Sequence, residues 1–119
     1  MRSVNMKVVV DTNFILSAMK FRIKMPNNVI VPSSVISELE RISKRKSAAG
    51  IHAKIALEII KKDRLSIART RGHADKALLT YAAANDCAVA TNDRKLIKAL
   101  KANGIKVIRI RQKKYFVEE

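Results

Sequence analysis

Lys7-Val8-Val9-Val10-Asp11-Thr12-Asn13-Phe14-Ile15-Leu16 is the stretch whose reading decides the fold. Three consecutive β-branched residues, with no polar alternation, predict a strand buried on both faces, as in the centre of a parallel sheet. The apolar period then changes. Phe14, Ile15, Ala18 and Met19 recur at helical spacing, so a helix starts after Asp11. A buried strand passing through a short polar hinge into an amphipathic helix is the first half of a βαβ unit.

The same alternation continues outward. Val29-Ile30-Val31 is the next strand, and Pro32-Ser33-Ser34 opens a helix running to about Lys44, with proline near the first turn and serine as the cap. Ser43 to Gly50 reads as a basic, small-residue connection and His52 to Lys62 as a helix. Leu65-Ser66-Ile67 reads as a short strand, Arg69-Thr70-Arg71-Gly72 as a turn, and Ala74 to Asn85 as a helix. Cys87 to Ala90 is a strand, Asp93 to Ala102 a helix stopped by Asn103-Gly104, and Lys106 to Ile110 a last core strand. Tyr115-Phe116-Val117, in the basic tail 111–119, is placed to add an edge strand. Short strands alternating with helices give an α/β fold, with a central parallel sheet covered on both faces. No linker divides residues 1–119, so a single domain is expected.

The charge is lopsided: 25 lysines and arginines against 10 acids, for a net charge of +15. That excess points to an anionic partner, RNA, DNA or an acidic membrane. A membrane is disfavoured, because no apolar run approaches a spanning helix and Met1-Arg2-Ser3-Val4 has no apolar signal core. The single cysteine, Cys87, excludes an intramolecular disulfide and fits a cytoplasmic protein. Its apolar neighbours mark it as a small buried hydrophobe rather than a nucleophile. Five aromatics and no tryptophan make stacking on an aromatic platform a poor candidate for the main recognition mode.

In this basic chain four acids are out of place. Asp11 ends the first strand, and Asp93 follows the Cys87–Ala90 run by way of Thr91-Asn92. Ligands of open α/β sheets bind beyond the carboxyl ends of the strands. Taken singly, each aspartate is better explained as a helix cap. Helix phase shifts the balance. Asp75 shares a face with Leu78, Leu79 and Ala82, Asp93 with Leu96, Ile97 and Leu100, and Glu38 lies between Val35 and Ile42 beside Leu39. Converging carboxylates repel unless protonated or bridged by cations, and hard oxygen ligands suit Mg²⁺ or Mn²⁺. The other acids have ordinary places: Glu40 and Glu58 on helix surfaces, Asp63 at a helix end, Asp86 in a turn, Glu118 and Glu119 in the tail.

Val9-Val10-Asp11-Thr12-Asn13-Phe14-Ile15-Leu16 resembles the opening motif of the PIN-domain ribonucleases, and Ala90-Thr91-Asn92-Asp93 resembles a later one. Between them, Val31 to Glu40 is similar to the family's second acidic element, and Ala74-Asp75 leading a helix to its third. The resemblance covers nearly the whole chain, in order. It implies a PIN-like three-layer α/β/α domain with about five parallel strands, and an acidic pocket binding Mg²⁺ or Mn²⁺. Asp11, Glu38, Asp75 and Asp93 would be the catalytic, metal-binding acids. Asn13 would orient the first, and Thr91 and Asn92 would contribute hydroxyl and amide contacts around the last. Ile108 to Tyr115 further resembles an archaeal branch similar to the eukaryotic PIN nuclease of small-subunit rRNA maturation. The family likeness also makes a homodimer plausible.

The expected activity is divalent-metal-dependent endonucleolytic cleavage of structured RNA, such as an rRNA precursor, leaving 5′-phosphate and 3′-hydroxyl ends. His52 and His73 have poor catalytic context. Of the basic clusters, Arg94 and Lys95 flank the acids as phosphate contacts, and Arg109, Arg111, Lys113 and Lys114 form a second candidate; the rest, Arg69-Arg71 included, read as solvated surface. The alternatives are a toxin ribonuclease with an antitoxin partner and a non-catalytic RNA-binding module of ribosome assembly. A phosphoacceptor receiver domain wants an adjacent acid pair after the first strand, and Val10-Asp11-Thr12 has one acid.

Overall fold

A computed structural model describes residues 6–26, 28–71, 74–111 and 114–118, apart from the side chain of Ala74. In chain order the elements are β1 (Val8–Val10), α1 (Thr12–Lys20), β2 (Val29–Pro32), α2 (Ser33–Ser43), α3 (Ala48–Lys62), β3 (Ser66–Ala68), α4 (Ala74–Asn85), β4 (Ala88–Ala90), α5 (Arg94–Ala102), β5 (Val107–Arg111) and β6 (Tyr115–Glu118). One sheet runs in the order β3-β2-β1-β4-β5-β6. The first five strands are parallel and β6 is antiparallel to β5.

The valine run behaves as a central strand should. Val9 and Val10 are fully buried and Val8 nearly so. Val8 and Val10 join a core with Phe14, Ile15, Val35, Leu39 and Ala56, from α1, α2 and α3. Val9 points the other way, into a second core with Leu78, Ala82, Leu96 and Leu100 of α4 and α5. This is the expected α/β/α sandwich, with three helices on one face and two on the other. Because β2 and β4 lie on opposite sides of β1, the chain reverses its winding there, and the carboxyl ends of β1 and β4 stand at the place where open α/β sheets bind their ligands. Among the described residues no helix is long and apolar enough to cross a membrane.

Two local readings change and a third holds. The serines after Pro32 do not cap α2: Pro32 itself is the N-cap residue and makes no side-chain cap bond, while Thr70 Oγ1 accepts the Ser34 N–H at 3.4 Å. The Ser33 hydroxyl instead accepts the Thr70 N–H at 3.0 Å, and Ser34 Oγ lies 3.0 Å from Thr70 Oγ1. The start of α2 is thereby stapled to the segment after β3. The connection before α3 is shorter than expected, because the helix begins at Ala48 with Ser47 capping the Gly50 N–H at 3.2 Å. The small residues Ala48-Ala49-Gly50 form its first turn instead of loop. A Cβ there would lie 2.1 Å from the Arg45 carbonyl oxygen, so Gly50 allows a tight α2–α3 corner. The edge strand does form: Phe116 pairs with Ile110, and its ring stacks on Phe14 at 5.3 Å, which ties the tail to α1.

Candidate active site

The parallel register pairs Val10 with Ala90, so the next residue of each strand, Asp11 and Thr91, comes to lie side by side. Asp11 is only 8% exposed. Its Oδ1 accepts the Phe14 N–H at 2.7 Å, which makes it the N-cap of α1 as well as a candidate site residue. Its Oδ2 accepts the hydroxyl of Thr91, itself fully buried. Thr91 Oγ1 in turn accepts the Asp93 N–H at 3.1 Å. Asp93 caps α5 through the Leu96 N–H at 3.1 Å and keeps its carboxylate exposed. One threonine hydroxyl thus sets the position of both strand-end aspartates.

Thr12 does the same for the second helix. Its hydroxyl donates to Glu38 Oε1 at 2.7 Å, across 26 positions of sequence, and holds that half-buried carboxylate beside the Asp11 hinge. Glu38 Oε2 lies 3.5 Å from Arg41, one helical turn on, in an exposed pair of small energetic weight. Asp75 sits in the first turn of α4 and is exposed, although its helix phase matches the buried Leu78 and Ala82. It is nonetheless close enough to Asp11 to affect its ionisation.

That ionisation is the clearest electrostatic feature. Burial pushes the Asp11 carboxyl up to about 6; the Thr91 and Phe14 hydrogen bonds oppose the shift, and the charges of Asp75 and Asp93 add to it. Asp11, Asp75 and Asp93 therefore share one electrostatic neighbourhood, while Glu38 is linked to it through Thr12. The N-termini of α1, α4 and α5 all carry one of these aspartates, which partly offsets the crowding. An acidic site with only hard oxygen donors fits a divalent cation chemically. It is not a closed cage: among the described residues, no three His, Cys, Asp or Glu side chains form a group placed to hold an ion.

Other expected site residues fall elsewhere. Asn13 is exposed on α1 and lines a cleft with Lys20 and His52; the groups holding Asp11 are Thr91 and the Phe14 amide. Asn92 does not contact Asp93 through its amide. Its Nδ2 donates to the Ile110 carbonyl at 3.0 Å and its Oδ1 accepts the Ile110 N–H at 2.9 Å, so it pins the loop after β4 to β5. Thr12 was missed, although it sits inside the motif that singled out Asp11; a buried hydroxyl between a strand end and a helix was the available sign. Arg94 and Lys95 are exposed in the first turn of α5, right after Asp93. Arg111 and Lys114 are exposed at the β5–β6 end, whereas Arg109 is half-buried within β5 and less open to a phosphate. Lys113 and His73 lie outside the described residues. Cys87 is buried, its thiol pushed up by burial, as befits a packing residue.

Comparison with known proteins agrees with this geometry. The chain is 36% identical over 92% of its length to Ribonuclease VapC4 of Methanocaldococcus jannaschii, covering 94% of that protein. Its fold is similar to a solved domain of a functionally unknown protein from the same organism, with a TM-score of 0.64 at 18% identity, over 89% of this chain and 91% of that one. Residues 8–113 match the family described as PIN like domain. With that match spanning both strand-end aspartates, all five helices and every parallel strand, the chain belongs to the PIN-like domain family.

Proposed function

We infer that this PIN-domain protein is an endoribonuclease, and we propose that Asp11, Glu38, Asp75 and Asp93 form its catalytic centre. The observation that carries the reading is the raised pKa of Asp11, a buried carboxyl beside the charges of Asp75 and Asp93, on a protein of net charge +15. Such a site is poised to accept positive charge while the surrounding surface draws in a polyanion. Family members that cut RNA generally depend on a divalent metal ion, and the likeness to a protein named Ribonuclease VapC4 supports RNA as substrate.

A bound Mg²⁺ or Mn²⁺ would lower the pKa of an attacking water and neutralise charge growing on the scissile phosphate. Asp11 would be its central donor, with Asp75, Asp93 and Glu38 as the neighbouring carboxylates. The protein's part is positioning. Thr91 orients Asp11 by donation to Oδ2 and fixes the Asp93 backbone, and Thr12 fixes Glu38. Arg94 and Lys95, one and two residues beyond Asp93, are placed to meet RNA phosphates, with Arg111 and Lys114 further along the rim.

Cleavage of structured RNA fragments with Mg²⁺ or Mn²⁺ tests this. Asp11→Asn and Asp93→Asn are each expected to abolish cutting while the protein stays folded; cutting at the wild-type rate in both variants would overturn the assignment. The likeness to Ribonuclease VapC4 favours a toxin ribonuclease held by an antitoxin partner. Under that reading, growth arrest on expression should disappear with Asp11→Asn. A role in rRNA maturation rests on the resemblance at Ile108 to Tyr115 alone.

A further inference from the structure

We propose that the cleft between the segment after β3 and helix α4 is a nucleotide subsite, taking one unit of a single-stranded RNA chain whose next phosphate reaches the acid cluster. This deepens the endoribonuclease reading and rests on it. The cleft arises from the way the sheet is covered. On the α4–α5 face, α4 packs over β1 and β4, Ala68 at the end of the edge strand β3 joins the same core, and the cleft lies between α4 and the segment that follows Ala68.

The resulting cavity has a volume of about 430 Å³, within the range of roughly 300–1,000 Å³ typical of ligand clefts. Arg69 and Arg71 line one wall and Lys76, Thr80 and Tyr81 of α4 the other. Among the described residues no carboxylate lines it. Thr70, between the two arginines, is fixed by its bonds to Ser33 and Ser34, so the guanidinium groups flank a rigid point. Three cations suit a phosphate; the half-buried Tyr81 ring offers a base or ribose an apolar face, and Thr80 a hydroxyl.

Position makes this cleft relevant. Lys76, on the cleft wall, directly follows Asp75, the acid whose charge reaches Asp11, so the α4 wall of the cleft begins next to an acid of the site and runs down the helix to Ala84 and Asn85. The cleft formed by Met19, Met25 and Leu65 lies at the opposite ends of the strands, and the one formed by Arg45, Ile51 and Lys54 belongs to the α2–α3 corner. Neither adjoins the acids. Arg69 and Arg71 are exposed, as expected of solvated basic surface, and they also line the cleft opposite α4.

The test is fluorescence anisotropy of a short labelled single-stranded RNA in EDTA, where binding is read without cleavage. The double variant Arg69→Ala/Arg71→Ala should weaken binding by about tenfold or more and flatten the dependence of log K on log salt by about 1. Tyr81→Leu should weaken binding by about fivefold or more, while Tyr81→Phe keeps it. Lys54→Ala/Lys62→Ala removes the same charge from α3 and corrects for the overall field. If the cleft variants bind as this control does, or if wild-type protein does not bind, the subsite is overturned. Cleft-dependent binding without any cutting by the metal-loaded wild-type protein would instead keep the subsite and refute the nuclease.

Discussion

Thr91 and Asp11 are bonded side chain to side chain across 80 positions of sequence, the buried hydroxyl donating to the buried carboxylate. The same oxygen accepts the Asp93 N–H, so Thr91 links two acids that begin different helices. Removing its hydroxyl takes away a bond that holds the Asp11 carboxyl down. Thr91→Val, nearly equal in shape, should cost roughly 1–3 kcal/mol of stability. It should also move the acid limb of the cleavage–pH profile upward, and Thr91→Ser should restore it. An unmoved profile in Thr91→Val would show that the bond does not tune Asp11.

A second expectation concerns pH in metal-free protein. Asp11 ionises at about 6 in the fold against 3.8 ordinarily. As pH rises from about 4, the unfolded chain loses this proton before the folded protein does, so folding stability falls until the folded group ionises near 6. A shift of this size corresponds to about 3 kcal/mol, fully lost above that window. The melting temperature of wild type relative to Asp11→Asn should therefore drop between about pH 4 and pH 7. A relative gain over that range would contradict the assignment. Adding Mn²⁺ at neutral pH should raise the melting temperature of wild type more than that of Asp11→Asn.

The Thr12–Glu38 bond predicts a different split. Thr12→Val leaves Glu38 with only its exposed pairing to Arg41, so cleavage should fall several-fold with a stability loss of about 1 kcal/mol. Arg41→Ala should change stability by less than about 1 kcal/mol, because the pair is solvated. Thermal melts and initial cleavage rates on the same preparations separate these effects. Equal rates in Thr12→Val and wild type would remove Thr12 from the site.

Gly50 predicts a purely structural defect. An alanine Cβ would meet the Arg45 carbonyl oxygen at 2.1 Å, forcing the α2–α3 corner apart. Gly50→Ala should destabilise at the upper end of the roughly 1–3 kcal/mol seen for overpacking. Chemical denaturation measures this, and below the melting range RNA cleavage per folded molecule should match wild type.

What the sequence determined by itself was whatever is written in local period. The Val8–Val10 run, the helical spacing of Phe14 and Ala18, and the turn residues Asn103-Gly104 each act over a few positions, so strand, helix and stop were legible without a partner. The four acids stood out for the same reason, as breaks in a pattern or as strand ends. The tertiary structure decided which side chains meet. Asp11 finds Thr91 only because β1 pairs with β4 in one register, and Thr12 finds Glu38 only because α2 packs beside the β1 hinge. Asn92 and the two serines after Pro32 have the chemistry to cap or to contact the site, but pairing across the sheet gave them other partners: Ile110 for Asn92, Thr70 for the serines. Hydrogen bonds between distant residues depend on strand order and register, and neither has a local signature. The cleft beside α4 has the same origin, since it follows from which strands the helix covers.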